Sequence, residues 1–154
     1  MYTIIDIIDK LIEIEKNLLK LYELLQKDSN TNERVKLAAG VLAREEGRHI
    51  QIYEGIKKEV ADFKDIEIEF DIYDSVSKII IEFKRGLVCS KVTDVKNLLA
   101  CALDFEQRNI ALIIRIQGLL VRKIEDTETN SYKALTKIAQ EEEQHVKMLE
   151  VFFR

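Results

Sequence analysis

The chain has 154 residues, 47% of them hydrophobic and 34% charged, with a formal net charge of −4. That length suits one domain, residues 1–154, with a core of its own; the acidic balance and interleaved signs exclude the basic stripe of a nucleic-acid binder. No run of about 18 uncharged apolar residues marks a membrane span, and Met1–Lys10, with Asp6 and Asp9, lacks the basic start of a secretion signal, so a cytoplasmic location is expected.

The absence of proline and the scarcity of glycine leave little to interrupt helices. Thr3 to Lys27 predicts a first helix, because Ile4, Ile8, Leu11, Leu18, Tyr22 and Leu25 recur at spacings of three and four. Glu15 sits in the middle of that apolar stripe, where a carboxylate is costly unless it is paired or bound to metal. Asp28–Asn32 is a polar turn, and Asn30 with Glu33 three residues on resembles a capping box. The second helix then runs to about Ala61, its inward stripe being Val35, Ala38, Leu42, Glu46, His49, Tyr53, Ile56 and Val60. Gly40, Gly47 and Gly55 weaken it, and a closely packed neighbour is one reason to keep them.

Asp65 to Asp71 alternates polar and apolar strictly, which predicts an extended segment. Asp74 is expected to cap a short helix through about Arg85, with Val76, Ile79, Ile80 and Phe83 on its apolar side, and a turn follows over Gly86–Lys91. Thr93 and Asp94 open a third long helix reaching about Lys123, with the stripe Val95, Leu99, Ala102, Glu106, Ile110, Ile113, Gln117, Leu120. After a polar turn, Glu125–Asn130, the last helix carries Leu135, Ile138, Glu142, His145, Leu149 and Phe152. The fold class expected is all-α, a four-helix bundle whose long crossover between the second and third long helices contains the short extra helix. Cys89 and Cys101 form no Cys-x-x-Cys, so neither a disulfide framework nor a thiolate metal site is indicated, and both read as small buried residues.

Two stretches repeat one pattern. Leu42-Ala43-Arg44-Glu45-Glu46-Gly47-Arg48-His49 and Ile138-Ala139-Gln140-Glu141-Glu142-Glu143-Gln144-His145 each place a glutamate three residues before a histidine, and they hold both histidines of the chain. Residues i and i+3 share one face of a helix. Glu-x-x-His from each of two helices plus one glutamate from each of the other two is how a four-helix bundle holds two metal ions. Glu15 and Glu106 supply the single glutamates, so the first helix answers the third and the second answers the fourth, an internal duplication of a helix pair.

The candidate metal ligands are therefore Glu15, Glu46, His49, Glu106, Glu142 and His145. By symmetry Glu46 and Glu142 would bridge two ions, with Glu15 and His49 completing one set and Glu106 and His145 the other. Oxygen-rich sites with some imidazole suit iron or manganese. Four carboxylates balance two divalent ions, and without metal they would repel one another and some would protonate, so metal is expected to stabilise the fold. Glu45 and Glu141 are candidate acceptors for the outer histidine nitrogens, and Tyr22 and Tyr53, two turns from Glu15 and Glu46, are candidates to hydrogen-bond a ligand or bound oxygen species.

On these residues the chain resembles the ferritin-like superfamily, and within it the rubrerythrin-like di-iron proteins. Ile12-Glu13-Ile14-Glu15-Lys16 through Leu21-Tyr22 looks like that family's first ligand helix, Ala102-Leu103-Asp104-Phe105-Glu106 like its third, and the two Glu-Glu-x-x-His segments like its second and fourth. The resemblance spans essentially the whole chain. It implies a carboxylate-bridged site for two iron ions, with manganese or zinc as substitutes in purified protein. It further implies an oxidoreductase of peroxidase or ferroxidase type that reacts with hydrogen peroxide or dioxygen, in oxidative-stress defence or iron handling, and a homodimer. The chain lacks the family's rubredoxin module, so electrons would come from a separate donor protein such as a rubredoxin. Many rubrerythrins have a further glutamate where this chain has Asn109, which leaves a six-ligand site as in bacterioferritin. Haem is not indicated, the only methionines being Met1 and Met148. The alternatives are iron storage with ferroxidase activity, which needs a many-subunit shell, an oxygen-activating di-iron hydroxylase, which needs an apolar channel or a membrane-docking face, and a metal-free structural bundle.

Overall fold

The computed structural model describes residues 1–89 and 91–154. Its described residues form five α-helices: α1 (Ile4–Lys27), α2 (Glu33–Val60), α3 (Phe70–Arg85), α4 (Val95–Leu120) and α5 (Asn130–Glu150). Two short strands, β1 (Tyr2–Thr3) and β2 (Glu67–Ile68), pair antiparallel. The molecule is thus all-helical and bundle-like. No described helix is long and apolar enough to cross a membrane.

Each long helix starts at a side chain that satisfies a backbone N–H left free by helix geometry. Thr3 Oγ1 accepts from Ile5 N at 3.2 Å while Asp6 accepts from Thr3 N at 2.8 Å, a capping box. Asp94 and Thr129 cap α4 and α5. The second cap departs from expectation: Asn32, not Asn30, accepts from Val35 N at 2.9 Å, because Asp28 already holds Asn30 N in the preceding turn.

The turn at residues 28–32 folds α2 back on α1, and the one at 121–129 folds α5 back on α4. The two hairpins enclose one core in which Leu11, Leu18, Ile113, Ile116, Leu135 and Ile138 are at most 1% exposed. Burying each such side chain contributes about 1.5–3 kcal/mol. Gln117 joins α4 to α5 through Tyr132 O (3.2 Å) and Thr136 Oγ1 (2.8 Å).

The crossover between the hairpins departs from the prediction at both ends. Only Glu67–Ile68 is strand, since Tyr2–Thr3 offers just two residues to pair with it. α3 begins at Phe70, four residues before Asp74. Tyr73 stacks on Tyr2 with ring centroids 3.8 Å apart, and Arg122 holds Glu69 and Asp71, each at 2.9 Å. α4 stops at Leu120, because Asp126 accepts from Arg122 N (2.8 Å) and Lys123 N (3.1 Å) and draws residues 124–128 into a 3-10 turn. α5 ends at Glu150, so Phe152 lies past the helix and is 67% exposed rather than in the core.

Cys89 and Cys101 also differ from expectation. They form a disulfide, with Cα atoms 6.0 Å apart, because the crossover returns alongside the first turns of α4. Both are half-buried. Among the helical glycines only Gly40 has a close neighbour, Gln26, while Gly47 and Gly55 face open space.

Candidate metal centre

Glu15 from α1, Glu46 and His49 from α2, Glu106 from α4, and Glu142 and His145 from α5 converge in the core. All six are 0–2% exposed. His49 Nδ1 lies 3.5 Å from Glu15 Oε2, 3.7 Å from Glu46 Oε2 and 3.3 Å from Glu142 Oε1. His145 Nδ1 lies 3.3 Å from Glu106 Oε1. The imidazoles meet edge to face at 4.8 Å. Two sets result, Glu46–His49–Glu106–His145 and Glu15–His49–Glu142, and within each set one ligand atom per residue lies within 4.8 Å of all the others.

These side chains are buried without hydrogen-bond partners to match. Both oxygens of Glu46 and Glu106, one each of Glu15 and Glu142, both nitrogens of His49 and Nδ1 of His145 make no hydrogen bond. Among the described residues no lysine or arginine forms an ion pair with any of the four carboxylates. A buried, unpaired carboxylate is costly, and four together multiply the cost by mutual repulsion. Burial, then the Glu15 charge, pushes Glu46 well above the usual carboxylate range. Burial, then Glu15 and Glu106, does the same to Glu142. Burial opposes ionisation of Glu106 too, but the adjoining Glu142 carboxyl and His145 imidazole hold it at about 2. Burial works against a charged His49, yet the carboxylate of Glu15 raises its pKa. A cluster of oxygen and imidazole donors with orphaned atoms and no counter-charge fits a pair of divalent cations.

Tyr53, fully buried, donates toward Glu15 Oε1 at 3.1 Å and toward Glu142 Oε1, so one phenol joins the two hairpins. Its single proton serves one carboxylate at a time, and the other bond needs a protonated carboxyl, in keeping with the raised Glu142. Tyr22 is equally buried, but its hydroxyl has no partner. Burial, then the nearby carboxylates, keeps both phenols protonated.

Glu45 and Glu141 are not placed as histidine acceptors. Arg48 takes both, at 3.2 Å and 3.7 Å, and forms a partly exposed clamp between α2 and α5. A neighbouring arginine competes better for a half-solvated carboxylate than a buried imidazole does. The residue whose positive role was not read from the sequence is Asn109. It is 1% exposed and donates from Nδ2 to Glu15 Oε1 at 3.0 Å. Its spacing, three residues after Glu106 on the same face, was the available signal.

Beside the centre lies a cleft of about 490 Å³ whose walls are almost wholly apolar. Val41, Leu42, Val95, Leu99, Met148 and Phe152 line it, and His145 forms part of its wall. No family model, curated protein or solved structure matches the chain.

Proposed function

We propose that the chain is a di-iron carboxylate oxidoreductase that reduces hydrogen peroxide or dioxygen. One observation carries this reading: six buried ligand-type side chains from four helices face one another with no counter-charge of their own. The resemblance of the four ligand segments to rubrerythrin-like proteins supports the same choice, as does the preference of carboxylate-rich donor sets for iron or manganese. When bound, a ferrous pair supplies two electrons to the oxidant.

In this reading Glu15 and His49 would help hold one ion and Glu106 and His145 the other, with Glu46 and Glu142 available to both. Asn109 and Tyr53 fix the Glu15 carboxylate from two sides. The Tyr53 hydroxyl donates toward Glu142 Oε1 and orients that carboxylate within the water-excluding core. Protein loaded with ferrous iron without air, then mixed with hydrogen peroxide in a stopped-flow instrument, is expected to develop near-ultraviolet ferric–carboxylate absorption within seconds. Elemental analysis should find about two irons per chain. A flat trace from iron-loaded protein removes the proposal.

The apolar cleft against His145 favours a second reading, oxidation of an apolar small molecule with dioxygen. Its volume falls in the range of small-molecule sites. Its one carboxylate, Glu45, is already neutralised by Arg48. A Val41→Trp variant, which fills the cleft mouth, separates the readings. It should abolish hydroxylation of a medium-chain hydrocarbon and leave the peroxide reaction intact. Wild-type protein that yields no hydroxylated product eliminates the second reading.

A further inference from the structure

We propose that Cys89 and Cys101 are a redox pair that returns two electrons to the metal centre, making the chain a dithiol-dependent peroxide reductase; this rests on the di-iron reading above. They are the only cysteines of the chain, and the fold brings them into one disulfide. Both are half-buried, at the boundary where an external dithiol can attack. Partly exposed disulfides are the ones that exchange and cycle, whereas structural ones resist reduction. Cys101 stands on α4 five residues before Glu106, about 7–8 Å along the helix axis. One thiol of the pair therefore stands on the helix that presents a ligand to the site, and the other on the connection that precedes it.

The surrounding segment is held without the sulfur–sulfur bond. Arg108 Nη1 donates to Gly86 O at 3.1 Å, and Asn32 Nδ2 donates to Thr93 O at 3.2 Å, one on each side of Cys89. Asp94 caps α4 through Asn97 N at 2.7 Å. The bond can open and close while both flanks of the connection stay anchored.

The electron count matches. Hydrogen peroxide accepts two electrons and two protons as its O–O bond breaks to give two waters. A bound ferrous pair would supply those electrons and be left ferric. Cys89 and Cys101 then lose two electrons and two protons as their two S–H bonds break and one S–S bond forms. Those electrons restore the ferrous state, so that two thiols and one peroxide become one disulfide and two waters. An external dithiol, oxidised to its own disulfide by thiol–disulfide exchange, regenerates the pair.

The experiment uses full-length protein reduced with dithiothreitol, freed of reductant without air and loaded with ferrous iron. It is titrated with hydrogen peroxide while ferric absorption is followed, and free thiols are counted by alkylation and mass spectrometry. Wild-type protein should consume about two equivalents of peroxide per chain, the first taking its thiols from two to none and only the second leaving ferric absorption that persists. Cys101→Ser should consume about one equivalent and keep its remaining thiol. Zinc-loaded wild type, which needs no altered residue to fold, should lose its thiols at least about tenfold more slowly than the iron form. Ferric absorption with both thiols intact overturns the redox pair alone and leaves a disulfide that only staples the crossover. Equal thiol loss in the iron and zinc forms also overturns it, since peroxide then attacks sulfur directly. No ferric absorption after the second equivalent overturns the di-iron reading and this inference together.

Discussion

Stripping the metal with a chelator near neutral pH is expected to lower the melting temperature by about 8–16 °C. Metal present at about a thousand times its dissociation constant contributes about 4 kcal/mol to the folded state. Each kcal/mol moves a domain of this size by about 2–4 °C. The pH dependence gives a sharper signature. Glu46 and Glu142 have folded-state pKa values raised above 4.5, and His49 is raised above 6.5. A group raised on folding stabilises the protein below its unfolded pKa, and that contribution is lost as pH climbs through the folded value. The stripped protein should therefore weaken steadily from about pH 5 upward. Glu106 acts in the opposite direction, but its contribution is lost only as pH falls from 4.5 toward about 2. Loaded protein should show the reverse trend, because cation binding needs deprotonated carboxylates. Melting curves from pH 5 to 8, with and without chelator, check both trends. Curves that superimpose would mean that no cation holds the core together.

Glu46→Gln is expected to reverse sign between the two states of the protein. With chelator it should stabilise by about 1–3 kcal/mol at pH 8, because an amide of the same shape removes one member of a repelling cluster. Both Glu46 oxygens lack hydrogen bonds, so the exchange breaks none. With iron the same variant should be less stable than wild type and react with peroxide at least about a hundredfold more slowly, having lost a ligand that faces both halves of the site. Paired thermal melts and stopped-flow traces read the reversal. A variant that loses stability equally with and without metal would assign Glu46 to packing and not to cation binding.

Much of this arrangement is legible in the sequence for a physical reason. Glu15, Glu46, Glu106 and Glu142 occupy positions in apolar stripes where a carboxylate has no business unless something compensates it, and helical periodicity alone brings those positions to one side. The start of α4 at Asp94 is local chemistry, readable within four residues. What escapes is whatever depends on distant segments. The start of α3 is set by Tyr2 and Arg122, far away in the chain. The Cys89–Cys101 bond depends on where the crossover lands against α4. Glu45 and Glu141 look like partners of the histidines by spacing, but Arg48 on the surface claims them both. Asn109 reads as a missing ligand, although it grips Glu15 from the opposite hairpin.

Each helical hairpin brings two of the carboxylates and one of the imidazoles, and each is closed by a short turn. Local contacts of this kind form early in folding, and the long-range docking of one hairpin on the other comes later. The docking step is where like charges collide. On the proposed reading, metal availability would set the timing of maturation: a newly made chain in a starved cell would linger as two loosely associated arms, open to proteases, until cations arrive to close it.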